Sequence, residues 1–364
     1  MMILPGLIDA HVHLRVPGGE HKEDFISGSS AALAGGFTTL LTMPNTNPPL
    51  VTFENWQQTQ TQAENQALCD VHHFAGASEE HLDQLPQLSE HAVGLKMYLD
   101  ATFGPLRLQN QQAIEKSFEL WPATKPICLH AELDSVRVAI ELAEKYQKHI
   151  HICHIARKEE VEMVARAQDR GLNVTCEVTA HHLFLTKDDA ERLGAYGDMR
   201  PLLQSQEDQD ALWHHLGTTI GVIASDHAPH AKFEKEGFSS QEAYLTAPGP
   251  LNDEEKRPIP PGIPGLESTL PLMLTAVSEG RLTIETLIDL LHTNPKRIFH
   301  LPDQPNTWVE VDENAKFIYP DHPLYTKCGW SPFSGMRMIG RVHCVILRGK
   351  EMYKDGIINC QKSK

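Results

Sequence analysis

Two histidines two residues apart, His11 and His13, close an apolar run in Leu4-Pro-Gly-Leu-Ile-Asp-Ala-His-Val-His-Leu-Arg15. Read as a strand, the run points residues i and i+2 to one face, so both imidazoles project together and can share a metal ion. Neutral imidazole is a common zinc ligand. Arg15 continues the alternation and sets a cation just beyond the metal. A lone His-x-His is a weak signal. It gains weight because further polar residues stand at the ends of later apolar runs: Asn45, Lys96, His130, His154, Glu177 and Asp226. His130 and His154 can hold a second ion, and Asp226 is the natural carboxylate for the first. Two cations a few ångström apart repel, so an anion must bridge them. No unassigned acidic residue ends the fourth run; Lys96 stands there instead. An ammonium has no lone pair to ligate a metal, whereas a lysine amine that has reacted with carbon dioxide offers two anionic carbamate oxygens. On residue chemistry alone, Lys96 could equally be a surface or salt-bridged lysine.

The elements that must position these groups read as eight β-like runs, at 7–14, 37–43, 71–76, 93–99, 126–131, 150–155, 173–178 and 219–224. Helical patterns separate most of them: 24–34, stopped by Gly35-Gly36; 53–67; 111–120; 134–148, with Asp134 as N-cap; and 158–170. This alternation predicts an α/β fold, a (β/α)₈ TIM-like barrel over residues 1–300, whose chemistry sits at the C-terminal ends of the strands. The polar residues fall at those ends. The polar stretch 231–264 reads as a loop over the barrel mouth, and 266–278 and 283–291 as closing helices. Short strands at 307–311, 316–318, 341–347 and 351–353 predict a small β-rich extension, 301–364, packed beside the barrel.

The chain has 364 residues, ordinary globular composition and a net charge of −16, which argues against nucleic acid and anionic membranes as partners. An anionic substrate would then need local cations, so single arginines carry information. No apolar run is long enough to span a bilayer, and no signal peptide is evident. Seven cysteines without a regular framework fit a reducing cytoplasm. The chain enters a strand almost directly after Met1-Met2, as expected of a domain within a longer polypeptide.

His11-Val-His13-Leu-Arg15, Met43-Pro-Asn45-Thr46, Gly94-Leu-Lys96, His130-Ala-Glu132, Ile152-Cys153-His154 and Ser225-Asp226-His227-Ala-Pro-His230 together resemble the cyclic amidohydrolases, and more narrowly dihydroorotase. The runs 17–24, 153–160, 176–184 and 294–300 are similar to the dihydroorotase domain of the CAD-type multifunctional pyrimidine-synthesis proteins; the match extends from about residue 4 to the C-terminus. The resemblance implies two zincs held by His11, His13, His130, His154 and Asp226 and bridged by carboxylated Lys96. It also implies a third zinc at His11, Cys153 and Glu177. Residue reasoning alone reads Cys153 and Cys176 as small core residues. It turns Cys153 and His154 to opposite faces unless the strand bulges or ends there.

The activity implied is reversible cyclisation of N-carbamoyl-L-aspartate to (S)-dihydroorotate plus water, in de novo pyrimidine (UMP) biosynthesis. A hydroxide between the zincs would attack the ring amide, with Asp226 as general base and acid. Arg15, Asn45 and His230 are the candidates for the substrate's free carboxylate, which a guanidinium fork suits. Arg200 and the backbone at Pro261 and Gly262 match positions that hold the ring, and Thr102 and Phe103 match a mobile loop that closes over it. His181 and His182 either orient a ligand or simply pack. One departure is Val16, where the family usually has an acidic residue beside the arginine; this puts the support of Arg15 in question. A homodimer is expected, as is fusion to carbamoyl-phosphate synthetase and aspartate transcarbamoylase. Competing readings are an allantoinase or hydantoinase, which Arg15 argues against; a silent scaffold domain, which should show a broken ligand set; and a metal-binding regulatory module, which would not need Arg15, Asn45 and Arg200 around one mouth.

Overall fold

Parallel strands covered on both faces are buried along nearly their whole length, and the first two long runs follow this even though Asp9, His11, Thr38, Thr39 and Thr42 are polar. Every residue of Leu7–Val12 and of Phe37–Thr42 is buried. In the computed structural model, which describes residues 1–237 and 259–360, the strands before the C-terminal region are ten. They are β1 (Met2–Pro5), β2 (Leu7–Val12), β3 (Phe37–Thr42), β4 (Asp70–His73), β5 (Ala75–Gly76), β6 (Leu95–Tyr98), β7 (Ile127–His130), β8 (Ile150–Ile152), β9 (Val174–Thr179) and β10 (Val222–Ala224). β2-β3-β4 form one parallel arc and β5 through β10 the other. β4 and β5 are two halves of a single barrel strand, each paired to its own arc. The circle closes between β2 and the end of β10, where the His13 N–H donates to His227 O at 2.8 Å and Val12 pairs with His227. All eight expected runs are therefore barrel strands, with helices between most of them.

Local chemistry explains most of the helix ends. Asp24 caps helix Phe25–Ala34 by accepting from Ser27 N at 2.7 Å, and Gly35 closes it. A side chain at Gly35 would meet Leu266 O at 2.1 Å, so only glycine lets this turn pack against the closing helix Leu266–Ser278. The cap expected for the helix at 134–148 is not found. Asp134 is the first helical residue of Asp134–Tyr146, and the cap position is Leu133 at φ 48° without a side-chain cap. The loop reaching that helix is held from outside: Asp100 accepts from Glu132 N at 2.7 Å and Glu160 from Leu133 N at 3.1 Å. A capping signal read from one residue cannot see such a tertiary substitute.

Beside the barrel lies an antiparallel sheet ordered β1-β11-β12-β13-β14, with β11 (Trp308–Ile318), β12 (Arg337–Leu347), β13 (Lys350–Lys354) and β14 (Ile357–Ile358). The two runs expected at 307–311 and 316–318 are one strand, its register shifted between Asp312 and Lys316. Met2–Pro5 pairs with β11, so the first residues join this sheet before the chain enters the barrel. The helix expected at 283–291 is Ile284–Ile288 followed by a wider turn, Asp289–Thr293. Of the polar stretch expected over the mouth, residues 238–258 lie outside the described residues.

The segment between β11 and β12 crosses back to the barrel mouth. Tyr319, Cys328, Trp330 and Phe333 pack with Met199, Leu203, Ile263 and Leu272. Two buried carboxylates hold this strap. Glu23 takes bonds from Thr326 Oγ1 and Lys327 N. Glu267 accepts from Tyr325 N at 3.0 Å and Thr326 N at 3.1 Å. Burial nonetheless pushes the Glu267 carboxyl up to about 7 from its ordinary 4.5. Between those values the folded chain keeps a proton that the unfolded chain has released, so stability falls as pH rises through the window. Glu267→Gln removes that slope. Variant-minus-wild-type stability from urea unfolding should therefore rise between about pH 5 and about pH 8, by on the order of 1–3 kcal/mol. A difference flat with pH would mean that the carboxyl ionises at its ordinary value in the fold.

Candidate active site

The strand ends bring the expected ligands to one buried cluster. His11 lies within β2 and His13 just past it; Lys96 lies in β6, His130 ends β7, Glu177 lies in β9, and Asp226 follows β10. β8 ends at Ile152, and His154 turns at φ 35°. The strand's end thus removes the alternation that would set Cys153 and His154 on opposite faces, and both are buried in the cluster. His11 is its centre. Its Nδ1 is 2.5 Å from Glu177 Oε1 and its Nε2 is 3.4 Å from Asp226 Oδ1, which is also 3.2 Å from His13 Nε2. His130 Nδ1 and His154 Nε2 are 2.9 Å apart, and Lys96 Nζ donates to Cys153 Sγ at 2.9 Å.

Three observations fit these residues to cations. Donor atoms of His11, His13 and Asp226, and separately of His11, Cys153 and Glu177, lie within 4.8 Å of one another, so His11 offers one nitrogen to each group. His130 Nε2 and His154 Nδ1 are buried without a hydrogen-bond partner, an expense that a ligated cation would remove. The charge balance also calls for cations. Burial alone would push Asp226 and Glu177 up, but the surrounding histidines, His11 first, hold both carboxyls well below the usual range. Burial and Lys96 push the His11 imidazole down, yet Asp226, Glu177 and Cys153 outweigh them and raise it to about 10. The cluster thus pulls positive charge onto His11. His13 is lowered to about 4, first by burial, so it is neutral and ready to ligate. Its Nδ1–H donates to Asn45 Oδ1 at 2.8 Å, which leaves Nε2 bare toward Asp226.

A second cluster, mostly cationic, lies beyond. Arg15, at φ 62°, donates from Nε to Pro229 O at 3.1 Å, and its Nη2 faces His230 Nε2 at 3.1 Å. Lys22 Nζ is 3.1 Å from His230 Nδ1 and 2.9 Å from Glu234. Burial lowers Arg15 to about 10 and Lys22 to about 8, and both stay cationic at neutral pH. The Phe103 ring covers them, 5.5 Å from Arg15 Cζ, 4.8 Å from Lys22 Nζ and 5.1 Å from the His230 ring. Asn45 Nδ2 donates to Phe103 O at 3.0 Å, so Asn45 is occupied by His13 and by the loop that carries Thr102 and Phe103. Pro261 O is 3.0 Å from His230 Nε2. Gly262, at φ +136°, approaches so closely that a side chain would meet Ala228 O at 2.5 Å. Arg200 donates to Asp198 Oδ1 and Met199 O, both at 2.8 Å, within its own loop. Val16 is buried in the main core, so the position gives Arg15 no charge; Pro229 O supports the guanidinium instead.

Several residues escaped the sequence reading. Asp9 Oδ1 accepts from Ser225 N at 3.0 Å and His11 N at 3.2 Å, tying the first strand to the last beside the ligands. His151 Nε2 is 3.1 Å from Glu177 Oε2. Glu23 lies 3.2 Å from His227 Nε2, and Trp330 Nε1 donates to His230 O at 2.7 Å. His182 donates to Pro201 O at 3.2 Å, beside Arg200, while His181 Nε2 is buried without a partner. The run His21-Lys-Glu-Asp24 supplied the visible signal for Lys22 and Glu23: charged residues packed into a stretch that the fold then buries.

Residues 1–89 match the family described as Dihydro-orotase-like. The chain is 48% identical over 354 residues to the multifunctional protein CAD of Squalus acanthias, covering 97% of this chain but 15% of that protein. This chain therefore spans about 15% of the length of that multifunctional relative. The inactive dihydroorotase-like domain of the Chaetomium thermophilum CAD-like multifunctional protein superposes with a TM-score of 0.79 at 25% identity, covering 100% of this chain and 98% of that one. Among described residues, no helix is long and apolar enough to cross a membrane. The dihydroorotase of Pyrococcus horikoshii is 32% identical over 380 residues, covering 97% of this chain and 81% of that enzyme. A match over 97% of this chain and 81% of that enzyme, together with a barrel whose strand ends converge on one buried histidine and carboxylate cluster, makes this chain a member of the dihydroorotase family.

Proposed function

We propose that the chain is an active dihydroorotase, interconverting N-carbamoyl-L-aspartate and (S)-dihydroorotate in de novo pyrimidine synthesis. The observation that carries this reading is the side-by-side arrangement of an anionic ligand cluster around His11 and a cationic pocket at Arg15, Lys22 and His230. The first suits the chemistry of the amide and the second suits the substrate's carboxylate. His11, His13 and Asp226 would hold one zinc, His130 and His154 another, and His11, Cys153 and Glu177 a third. Lys96 is fully buried, and no carboxylate pairs with it among the described residues. An unpaired buried ammonium is costly, so conversion to a carbamate between cations is the state that suits it. The bound metal ions would acidify a water, from about 15.7 toward about 7, and polarise the amide carbonyl.

The chain's own groups do the rest. Arg15 and His230 orient the carboxylate, Pro261 and Gly262 border the ring, and Phe103 excludes water above them. Arg200 would reach the ring only by leaving Asp198. In hydrolysis Asp226 takes a proton from the attacking water and delivers it to the departing ring nitrogen as the carbon–nitrogen bond breaks. In synthesis it removes a proton from the carbamoyl nitrogen, which attacks the carboxylate carbon; Asp226 returns that proton to the departing oxygen, which takes a second proton from solvent and leaves as water as the carbon–oxygen bond breaks. Its depressed value keeps it ionised and able to accept.

The same reading makes the chain one domain of a multifunctional protein, beside carbamoyl-phosphate synthetase and aspartate transcarbamoylase, acting as a homodimer in the cytoplasm. Long similarity to a multifunctional relative supports the first point and seven unpaired cysteines support the last. Likeness to an inactive domain favours a second reading, a silent scaffold. The complete ligand cluster argues against it.

Metal-analysed protein should turn over both compounds with two or more zincs per chain. Lys96→Ala should lower turnover by at least about a hundredfold. Full metal content without turnover of either compound would sink the activity and leave the scaffold. Arg15→Met should raise KM about ten- to a hundredfold for both compounds, with a smaller change in kcat; unchanged KM would remove Arg15 from the carboxylate pocket. Cys153→Ser should release one metal per chain and leave the others, read by elemental analysis. Three metals retained would exclude Cys153 as a ligand.

A further inference from the structure

We infer that Lys22 is a positioning residue that decides which nitrogen of His230 carries the proton, and thereby gives the carboxylate pocket a second N–H. The kinetic consequence rests on the dihydroorotase reading; the protonation itself does not. An ammonium donates and cannot accept. Lys22 Nζ lies 3.1 Å from His230 Nδ1, so Nδ1 must present its lone pair. A neutral ring then carries its proton on Nε2, where Pro261 O accepts it at 3.0 Å.

The other protonation states fare worse. Protonated on Nδ1, the ring would press an N–H against the ammonium and a lone pair against Pro261 O, gaining a bond from Arg15 and a 3.8 Å approach to Glu234 Oε2, a carboxylate already paired with Lys22. Doubly protonated, it would stand as a third cation beside Lys22 and Arg15. Burial first, then Lys22, Arg15 and Lys235, holds His230 well below the ordinary imidazole value. Lys22 is itself fixed. Glu234 pairs with it at 2.9 Å and is anchored by Ala231 N at 2.8 Å.

This assignment turns the 3.1 Å approach of Arg15 Nη2 to His230 Nε2 into two donors facing each other. Alone that contact is repulsive. A carboxylate oxygen placed beside the two would accept from Arg15 and share the Nε2–H with Pro261 O, so the pocket is complementary to an anion. Without Lys22 the neutral ring can carry its proton on Nδ1 instead of Nε2, accept from Arg15 at Nε2 and close the pocket on itself.

Two measurements test this. A neutron structure of the chain as purified, metals included, should show hydrogen on His230 Nε2 and none on Nδ1. Hydrogen on Nδ1 overturns the inference whatever the chain catalyses. Lys22→Met and Lys22→Arg are then compared with wild type at matched metal content and melting temperature, using dihydroorotate and carbamoyl aspartate. Lys22→Met should raise KM about ten- to a hundredfold with kcat changed less than about threefold, because one charge-assisted bond to the carboxylate is lost. Lys22→Arg, still a donor that cannot accept, should recover most of the loss. A wild-type KM in Lys22→Met overturns the positioning role. If Lys22→Met does not fold, or if the wild-type chain turns over neither compound, the neutron result alone decides the Lys22 assignment; the second outcome counts against the dihydroorotase reading and not against this one.

Discussion

The mouth of this barrel hangs on the seam between its first and last strands. His11 and His13 arrive on one side of it and Asp226 on the other, and the three meet only because the His13 N–H bonds His227 O and Asp9 bonds Ser225 N. Asp9 is buried, and burial raises its carboxyl to about 7 even though backbone N–H groups oppose the rise. The chain therefore keeps an unfavourable group in its core to hold the seam in register. A slip of one residue would turn both histidines away from Asp226, because strand faces alternate.

Around this seam the charges are sorted by sign. The histidine cluster gathers carboxylates about His11, and the neighbouring pocket gathers Arg15, Lys22 and Lys235 about His230. In a chain of net charge −16, that cationic pocket is a local exception built from residues the fold has buried. Asn45 stands between the two, orienting His13 with its oxygen and holding Phe103 with its amide. One side chain thereby links the orientation of His13 to the ring that covers Arg15 and Lys22.

Much of this was legible in the sequence, because a parallel barrel writes its strands as apolar runs and its chemistry at their ends. His11 and His13 could be paired from their spacing, and His130, His154 and Asp226 set at strand ends from the apolar runs before them. Their grouping with Cys153 came only from the family resemblance, since regular strand alternation opposes it; β8 ends at Ile152 and removes that alternation. The support of Arg15 was also hidden. Val16 drew attention as a missing acid, but the guanidinium is held by a carbonyl from the opposite side of the seam, and backbone acceptors leave no mark on side-chain identity. Lys22 and Glu23 were visible as charges in a motif, but their roles depend on partners 208 and 204 residues away. The same long-range logic removed Asp134 as a cap, its loop being held by Asp100 and Glu160 instead.

The strap that carries Trp330 adds an order of events during synthesis. Every expected metal ligand has left the ribosome once Asp226 has emerged, and the barrel strands are then all present. Trp330, whose indole N–H secures His230 O, lies 100 residues further along the chain. The residues around His11 are thus all synthesised before the segment that braces His230, so the wall of the neighbouring pocket is the last part of the mouth to be completed.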